Sequence, residues 1–200
     1  LLDNPTPTTQ TINLFKKNQL QRLFELLSVD PNLVDAIIDW IDTNTNTEPN
    51  GAEDETYQTL PFSYPTKNGR LTTLEEILYI KGITPEIYQK IAPYLTVVGT
   101  DMRINVNTAD PFVLQSLHSS IDDSALKTLL EGRPYTSTSP SFFSKLPADA
   151  TRLGQYVSTD FVIRSDIYSL KSRGTVRNTR KTIHAIWNRT TLAYLYYKVE

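Results

Sequence analysis

The chain has 200 residues, 39% of them hydrophobic, with 20 basic side chains against 22 acidic ones, two histidines and no cysteine. That length and apolar content suffice for one sizeable core or two small ones. The net charge of −2 argues against a nucleic-acid binder as a class, because neutralising phosphates takes a surplus of Lys and Arg; the lack of cysteine removes thiol nucleophiles and thiolate metal sites.

No run of about eighteen apolar residues occurs, and the opening Leu1-Leu2-Asp3-Asn4-Pro5-Thr6-Pro7 is not a signal peptide. Residues 1–11, rich in Pro, Thr and Asn, read as an extended lead-in. From Ile12 the apolar residues Leu14, Phe15, Leu20, Leu23, Phe24 and Leu27 recur at helical spacing. Asp30-Pro31 then opens a second helix, a cap followed by proline at the first helical position, with Leu33, Val34, Ile37, Ile38, Trp40 and Ile41 as its core residues.

Residues 39–57 follow, a polar stretch with no basic residue. Asp42, Asn44 and Asn46 alternate, and Glu53 falls where a helix-loop-helix calcium loop carries its last, bidentate carboxylate. A cation of calcium's size takes six to eight oxygens from carboxylates, amides and main-chain carbonyls, which one loop can supply. Asp39, one helical turn before Asp42, and Asp54, beside Glu53, complete a candidate ligand set of Asp39, Asp42, Asn44, Asn46, Glu53 and Asp54. Thr47 stands where that loop class needs glycine for its sharp turn, so a different backbone path is expected. The alternative is a solvated acidic turn; like charges with no Lys or Arg among them favour a bound cation.

Residues 60–69 carry two prolines and end in Asn68-Gly69, an irregular connection packed down by Tyr57 and Tyr64. Thr73 and Glu76 form a capping box for a helix with Leu74, Ile77, Leu78 and Ile80 inward, ended by Gly82, and Thr84-Pro85 starts the next. Such a helical hairpin can hold DNA backbone, but Thr84 in place of a second glycine and Glu86 at the helix start favour packing. Asn107 or Thr108 is expected to cap a helix through Val113, Leu114 and Leu117, with metal ligation by Asn105 and Asn107 as the alternative. Asp122 opens a further helix with Leu126, Leu129 and Leu130 inward and Gly132 as its stop. Phe142 and Phe143 anchor a Ser/Thr/Pro-rich loop.

From Tyr156 the period changes to that of strands. Three antiparallel strands are expected: one through Phe161, Ile163, Asp166 and Tyr168, one around Ile183, Ala185 and Trp187, and one over residues 192–199. Gly174 and Asn178 are assigned to the first connection and residues 188–191 to the second. Lys and Arg concentrate here; such a sheet end is a solvated face or, alternatively, meets an acidic partner or lipid headgroups. With only His118 and His184 as imidazole bases and none of the catalytic motifs of hydrolases, phosphate-loop enzymes or metalloproteases, no catalysis is expected.

Three ordered segments carry a resemblance: Asp39-Trp40-Ile41-Asp42 with Gly51-Ala52-Glu53-Asp54 and Tyr57; Leu78-Tyr79-Ile80-Lys81-Gly82-Ile83-Thr84 with Ala92-Pro93-Tyr94-Leu95; and Ile104-Asn105-Val106-Asn107-Thr108-Ala109 with Val113-Leu114. Over residues 14–134, and more loosely to the end, they resemble minor pseudopilin K of the bacterial type II secretion system. Asn44 and Asn46 replace part of an Asp run common in that family.

The resemblance implies an α+β fold: a lead-in remnant of a pilin-like domain (1–13), a helical domain of helix-hairpin-helix or SAM-like type (14–150) containing the calcium loop 39–57, and C-terminal β-strands of an antiparallel pilin-like sheet (151–200). It also implies an apolar membrane-anchoring helix outside this sequence, a periplasmic location at the bacterial inner membrane, calcium as cofactor, and a place at the pseudopilus tip with minor pseudopilins I and J and other pseudopilins as partners. Neither nucleic-acid binding nor membrane contact other than through that helix is implied. A calcium-binding adhesion or carbohydrate module and a helix-hairpin-helix nucleic-acid binder are the alternatives.

Overall fold

A computed structural model of the chain describes residues 1–3, 11–98, 103–150 and 161–200. Tyr156, residues 4–10 of the lead-in and the expected seam at 150/151 lie in or against the segments outside it. Two short strands, β1 (Leu2–Asp3) and β2 (Thr11–Ile12), pair antiparallel at the start. Helix α1 (Leu14–Leu26) begins where the Asn13 side chain accepts the Lys16 N–H at 3.0 Å. Helix α2 (Leu33–Ile41) starts two residues later than Asp30-Pro31 implies. Asp30 Oδ1 accepts the Asn32 N–H (2.9 Å), and Leu33, Val34 and Asp35 donate three residues back, so the first turn winds tighter than an α-helix.

Residues 34–40 of α2 are all buried, Asp35 and Asp39 included. Around this helix forms a first core of Phe24, Val29, Trp40, Ala52, Tyr57, Ile77, Ile80, Ile83 and Ile91 with its apolar side chains. Trp40 meets Tyr57 edge-on at 5.1 Å and Tyr64 at 6.0 Å, which pins the 59–69 connection as its two tyrosines imply. The short helix α3 (Asp54–Gln58) closes the acidic loop.

Residues Leu74–Tyr79 form a 3₁₀ helix, not an α-helix. Its period of three aligns Leu74, Ile77 and Ile80 on the core and turns Leu78 out, 38% exposed, which corrects the inward assignment of that residue. Glu76 reaches back to accept the Thr73 N–H (2.9 Å) and also pairs with Lys67. Gly82 has φ +83° and lies against Leu33, where an added Cβ would sit 2.5 Å from Cδ2; both the turn and the close approach require glycine. Helix α4 (Pro85–Ile91) is capped by Thr84.

A second core holds Val106, Leu114, Leu117, Ile121, Leu129, Tyr135, Phe142, Leu146, Ala150 and Phe161, with Phe15 of α1 packed on it. It is built on β3 (Ile104–Asn105), α5 (Pro111–Gln115), α6 (Asp123–Glu131) and β4 (Phe161–Val162). Arg22 of α1 spans to it, donating through Nε and Nη2 to the carbonyls of Ser116 and Leu117, both at 2.7 Å.

The α5 cap is Asp110, which accepts the Phe112 N–H at 2.9 Å, not Asn107 or Thr108. Asn107 instead latches three segments: Nδ2 donates to the carbonyls of Tyr135 (3.0 Å) and Ile163 (3.1 Å), and Oδ1 accepts the Tyr135 N–H (2.6 Å). Replacing Asn107 by Ala strands three half-buried backbone groups, and we expect about 2–3 kcal/mol of lost stability. Hydrogen exchange should then accelerate first at the Tyr135 amide. Gly132 ends α6 with an ordinary φ of −73°; what needs glycine there is the Tyr135 hydroxyl, 2.5 Å from where a Cβ would stand.

The three antiparallel strands are β5 (Ile167–Val176), β6 (Thr179–Asn188) and β7 (Ala193–Val199), in the order 5-6-7. Several assignments differ from expectation: Ile163 and Asp166 precede β5, and Asn188, given to the second connection, ends β6. Phe161 belongs to β4, which pairs parallel with β3 and apart from this sheet, because Phe161 is drawn into the second core. Gly174 lies inside β5 opposite Lys181, and the turn is made by Arg177, at φ +52°, and Asn178.

Register pairs Tyr168 with Trp187, Leu170 with Ala185, Ala185 with Tyr197 and Ile183 with Val199, so one sheet face is apolar. Tyr168, Leu170, Tyr194, Tyr197 and Val199 of that face are all exposed.

Candidate functional site

The site forms where α2 enters the acidic loop. Asp35, Asp39 and Asp42 recur at helical spacing, so α2 presents one acidic stripe, and Glu53 closes the loop against it. All four are buried: Asp35 4% exposed, Asp39 0%, Asp42 3% and Glu53 7%.

Their partners divide them. Lys17 of α1 reaches across to Asp35 and Glu48, both at 2.7 Å. Burial alone would raise the Asp35 carboxyl, but Lys17 and the Asn50 amides outweigh it and hold it below its ordinary range. The absence of Lys and Arg from residues 39–57 therefore does not leave the whole cluster without a counter-charge: helix α1 supplies one. Lys81 adds a second cation at the rim, its Nζ donating to the Gly51 carbonyl at 3.2 Å.

Asp39, Asp42 and Glu53 are different. No lysine or arginine among the described residues forms a salt bridge with them. Both Asp39 oxygens accept the Glu48 N–H, at 3.1 and 3.2 Å, and the carboxylate is pressed under Gly51, where an added Cβ would stand 1.8 Å from Oδ2. Burial pushes Asp39 up, against its backbone hydrogen bonds. Asp42 is pushed up to about 6 by burial and then by the Asp39 charge, and Glu53 to about 7 by burial and the charges of Asp39, Asp42 and Asp54. Asp42 Oδ1 and Glu53 Oε1 are buried without a hydrogen-bond partner.

The remaining candidates do not converge. Asn44 is exposed; its Nδ2 donates to Asp42 Oδ2 (2.8 Å) and its Oδ1 accepts the Asn46 N–H (2.7 Å). Asn46 faces solvent. Asp54 is committed to the next connection, where Oδ1 accepts the N–H and the hydroxyl of Thr66, both at 2.6 Å. Among the described residues no three carboxylate or imidazole groups close around one point as the side chains stand. The donor set still fits a hard cation, because two buried carboxylate oxygens lack any partner and belong to acids that repel each other. Sequence reasoning missed Asp35 and Lys17; the spacing Asp35, Asp39, Asp42 on one helix was the available signal.

Two amides of the helical hairpin's turn are already occupied. The Lys81 amide, which would face a phosphate, donates to the Tyr57 hydroxyl (3.1 Å), and the Ile83 amide to the Ile80 carbonyl.

Two helical cores, an acidic loop locked by α1, and an amphipathic antiparallel sheet define the class: an α+β fold with a buried cluster of acids between its first two helices and the loop that follows. Two family models described as type II secretion system (T2SS), protein K, match residues 3–100 and 104–164, and the chain belongs to that family. It is 32% identical over 139 residues to type II secretion system protein K of Pectobacterium carotovorum subsp. carotovorum, covering 67% of this chain and 41% of the relative. Against the protein of the same name from Klebsiella pneumoniae it is 34% identical over 95 residues, 45% of this chain and 29% of the relative. The chain thus spans less than half the length of these relatives. Its fold is similar to that of a chain in the crystal structure of the GspK-GspI-GspJ complex from the enterotoxigenic Escherichia coli type 2 secretion system. The TM-score is 0.71 at 19% identity, over 92% of this chain and 69% of that one.

Proposed function

We propose that the chain is the globular part of a minor pseudopilin that works by assembly, at the tip of the type II secretion pseudopilus, without catalysing a reaction. The family match over most of the chain carries this reading. The fold neighbour comes from a complex of K with I and J subunits, which makes the corresponding minor pseudopilins the natural partners. The exposed apolar face of the β5-β6-β7 sheet supports the reading, since such a face calls for cover by a helix or a neighbouring subunit. The helical domain, residues 14–150, would supply the bulk that prevents a further subunit from adding above it. The working location is the periplasmic side of the bacterial inner membrane.

Calcium belongs to the same reading. Asp42 and Glu53 would hold it through the oxygens that have no partner, Asp39 would stand beside them, Asn46 would have to turn in from solvent, and Asn44 and Asp54 would take part only after giving up the bonds their side-chain oxygens now accept. A bound ion would neutralise the carboxylates and tie α2 to α3, a contribution to folding. Co-expression of the chain with the I and J subunits of the same secretion system tests the assembly role. A co-purifying ternary complex is expected; three separately eluting proteins would overturn it.

A further inference from the structure

The β5–β6 hairpin does not end with the sheet. β7 stops opposite Thr182, whose N–H and carbonyl exchange 2.9 Å hydrogen bonds with Glu200. Beyond that pair, Gly174–Val176 and Thr179–Lys181 continue as a two-stranded ribbon around Arg177-Asn178, reaching about 13 Å further. Every residue from 168 to 181 is exposed, so the ribbon packs on none of the described residues.

Its composition is one-sided. Five of the chain's twenty basic residues, Lys171, Arg173, Arg177, Arg180 and Lys181, fall in eleven positions that contain no acid. Glu200 lies near Lys171, but no carboxylate among the described residues forms a salt bridge with Arg173, Arg177, Arg180 or Lys181. Like charges gathered on a solvated ribbon repel, and no salt bridge to an acid among the described residues relieves these four.

We infer that this ribbon is a docking arm for the anionic phosphate headgroups of a bilayer surface. Three features select that partner over an acidic protein. Apart from Val176 the ribbon from Gly174 to Lys181 is Gly, Thr, Asn, Arg and Lys, with no aromatic or large aliphatic anchor of the kind that fills the core of a protein interface. Arginine dominates, and its planar fork matches phosphate oxygens in pairs. Val176, 74% exposed, stands next to the turn, where a small apolar group can enter the headgroup layer while its basic neighbours stay at the phosphates. The arm deepens the pseudopilin reading by adding a second surface, but its chemistry does not depend on that reading.

The test is co-sedimentation of the 200-residue chain with vesicles of phosphatidylcholine alone or with about 30 mol% phosphatidylglycerol. Binding is expected only to the anionic vesicles, and it should disappear as salt rises from about 0.05 to about 0.5 M. Arg173→Gln, Arg177→Gln and Arg180→Gln together should weaken it about 100-fold, with the melting temperature unchanged or raised; Thr175→Glu, which keeps the arginines, should weaken it as well. Lys127→Gln, at an exposed position of α6, should not. No binding to anionic vesicles, binding indifferent to both ribbon variants, or tighter binding to duplex DNA than to the vesicles would overturn the inference. Failure to assemble with I and J subunits would leave the vesicle result unchanged, so the two proposals fail separately.

Discussion

In the presence of chelator, the melting temperature of the chain is expected to fall as pH rises from 5 to 8, and calcium is expected to reverse that fall. The sign follows from Asp42 and Glu53, whose folded values of about 6 and about 7 stand above the ordinary 3.8 and 4.5. A carboxyl raised in the folded state binds its proton more tightly there than in the unfolded chain. Its stabilising contribution is complete below about pH 4 and is lost as pH climbs through the folded value. The depressed acids, Asp35 and Glu76 among them, work oppositely but titrate below their ordinary values, and Asp39, also raised, acts in the same direction as the pair. Each tenfold difference in proton affinity between the folded and unfolded chain corresponds to about 1.4 kcal/mol. Between pH 5 and 8 the two acids together therefore account for on the order of 4 kcal/mol, or about 8 to 16 °C for a chain of this size.

Calcium would be held by the ionised forms, so its stabilisation should be small at pH 5 and large at pH 8. Asp42→Asn or Glu53→Gln should therefore raise the melting temperature in chelator at pH 8, by removing repulsion, while abolishing the response to calcium. Scanning calorimetry across the four conditions checks this. Equal destabilisation by the variants with and without calcium would mean that the two acids have a purely structural role.

The second large effect is at Gly51. A Cβ there would stand 1.8 Å from Asp39 Oδ2 and 2.6 Å from its Cγ, and Asp39 is fully buried, so its carboxylate has no open space to enter. Gly51→Ala should cost about 2–3 kcal/mol and should also release the Glu48 N–H bonds that fold the loop back over α2. The cause is specific and separable. In an Asp39→Ala background the obstacle is gone, and the same substitution should cost little, a strongly non-additive double-mutant cycle. Additive costs would place the damage in the backbone of the loop and not in the contact with Asp39.

The difference between what was legible in the sequence and what was not is physical. Helices α1, α2, α4 and α6 declared themselves because spacing and caps act within one turn: Asn13, Thr84 and Asp122 each hold an amide N–H just inside the helix they open. The second and third strands of the C-terminal sheet were legible from alternation, while the first was placed too early, since Phe161, Ile163 and Asp166 all precede β5. Asn107 looked like a cap and became a latch because its partners, Tyr135 and Ile163, come from 28 and 56 residues away. Leu78 looked inward under a helical period of 3.6 and is outward under a period of three. Of the site, the local part was readable: Asp39, Asp42 and Glu53 are all buried, and the Asp39 charge acts on the other two. Lys17 was not readable, since its contact with Asp35 and Glu48 depends on how α1 packs over α2. The local pattern alone exaggerated the unbalanced charge, which the fold confines to Asp39, Asp42 and Glu53.

Calcium titration of the metal-free chain by isothermal calorimetry at pH 7.5, repeated on Asp42→Asn, is the most direct test of the claim that this inner trio of acids exists to hold a cation. Saturable binding by the parent chain, lost in the variant, is the predicted result. No saturable binding at millimolar calcium, or equal binding by both proteins, would contradict it.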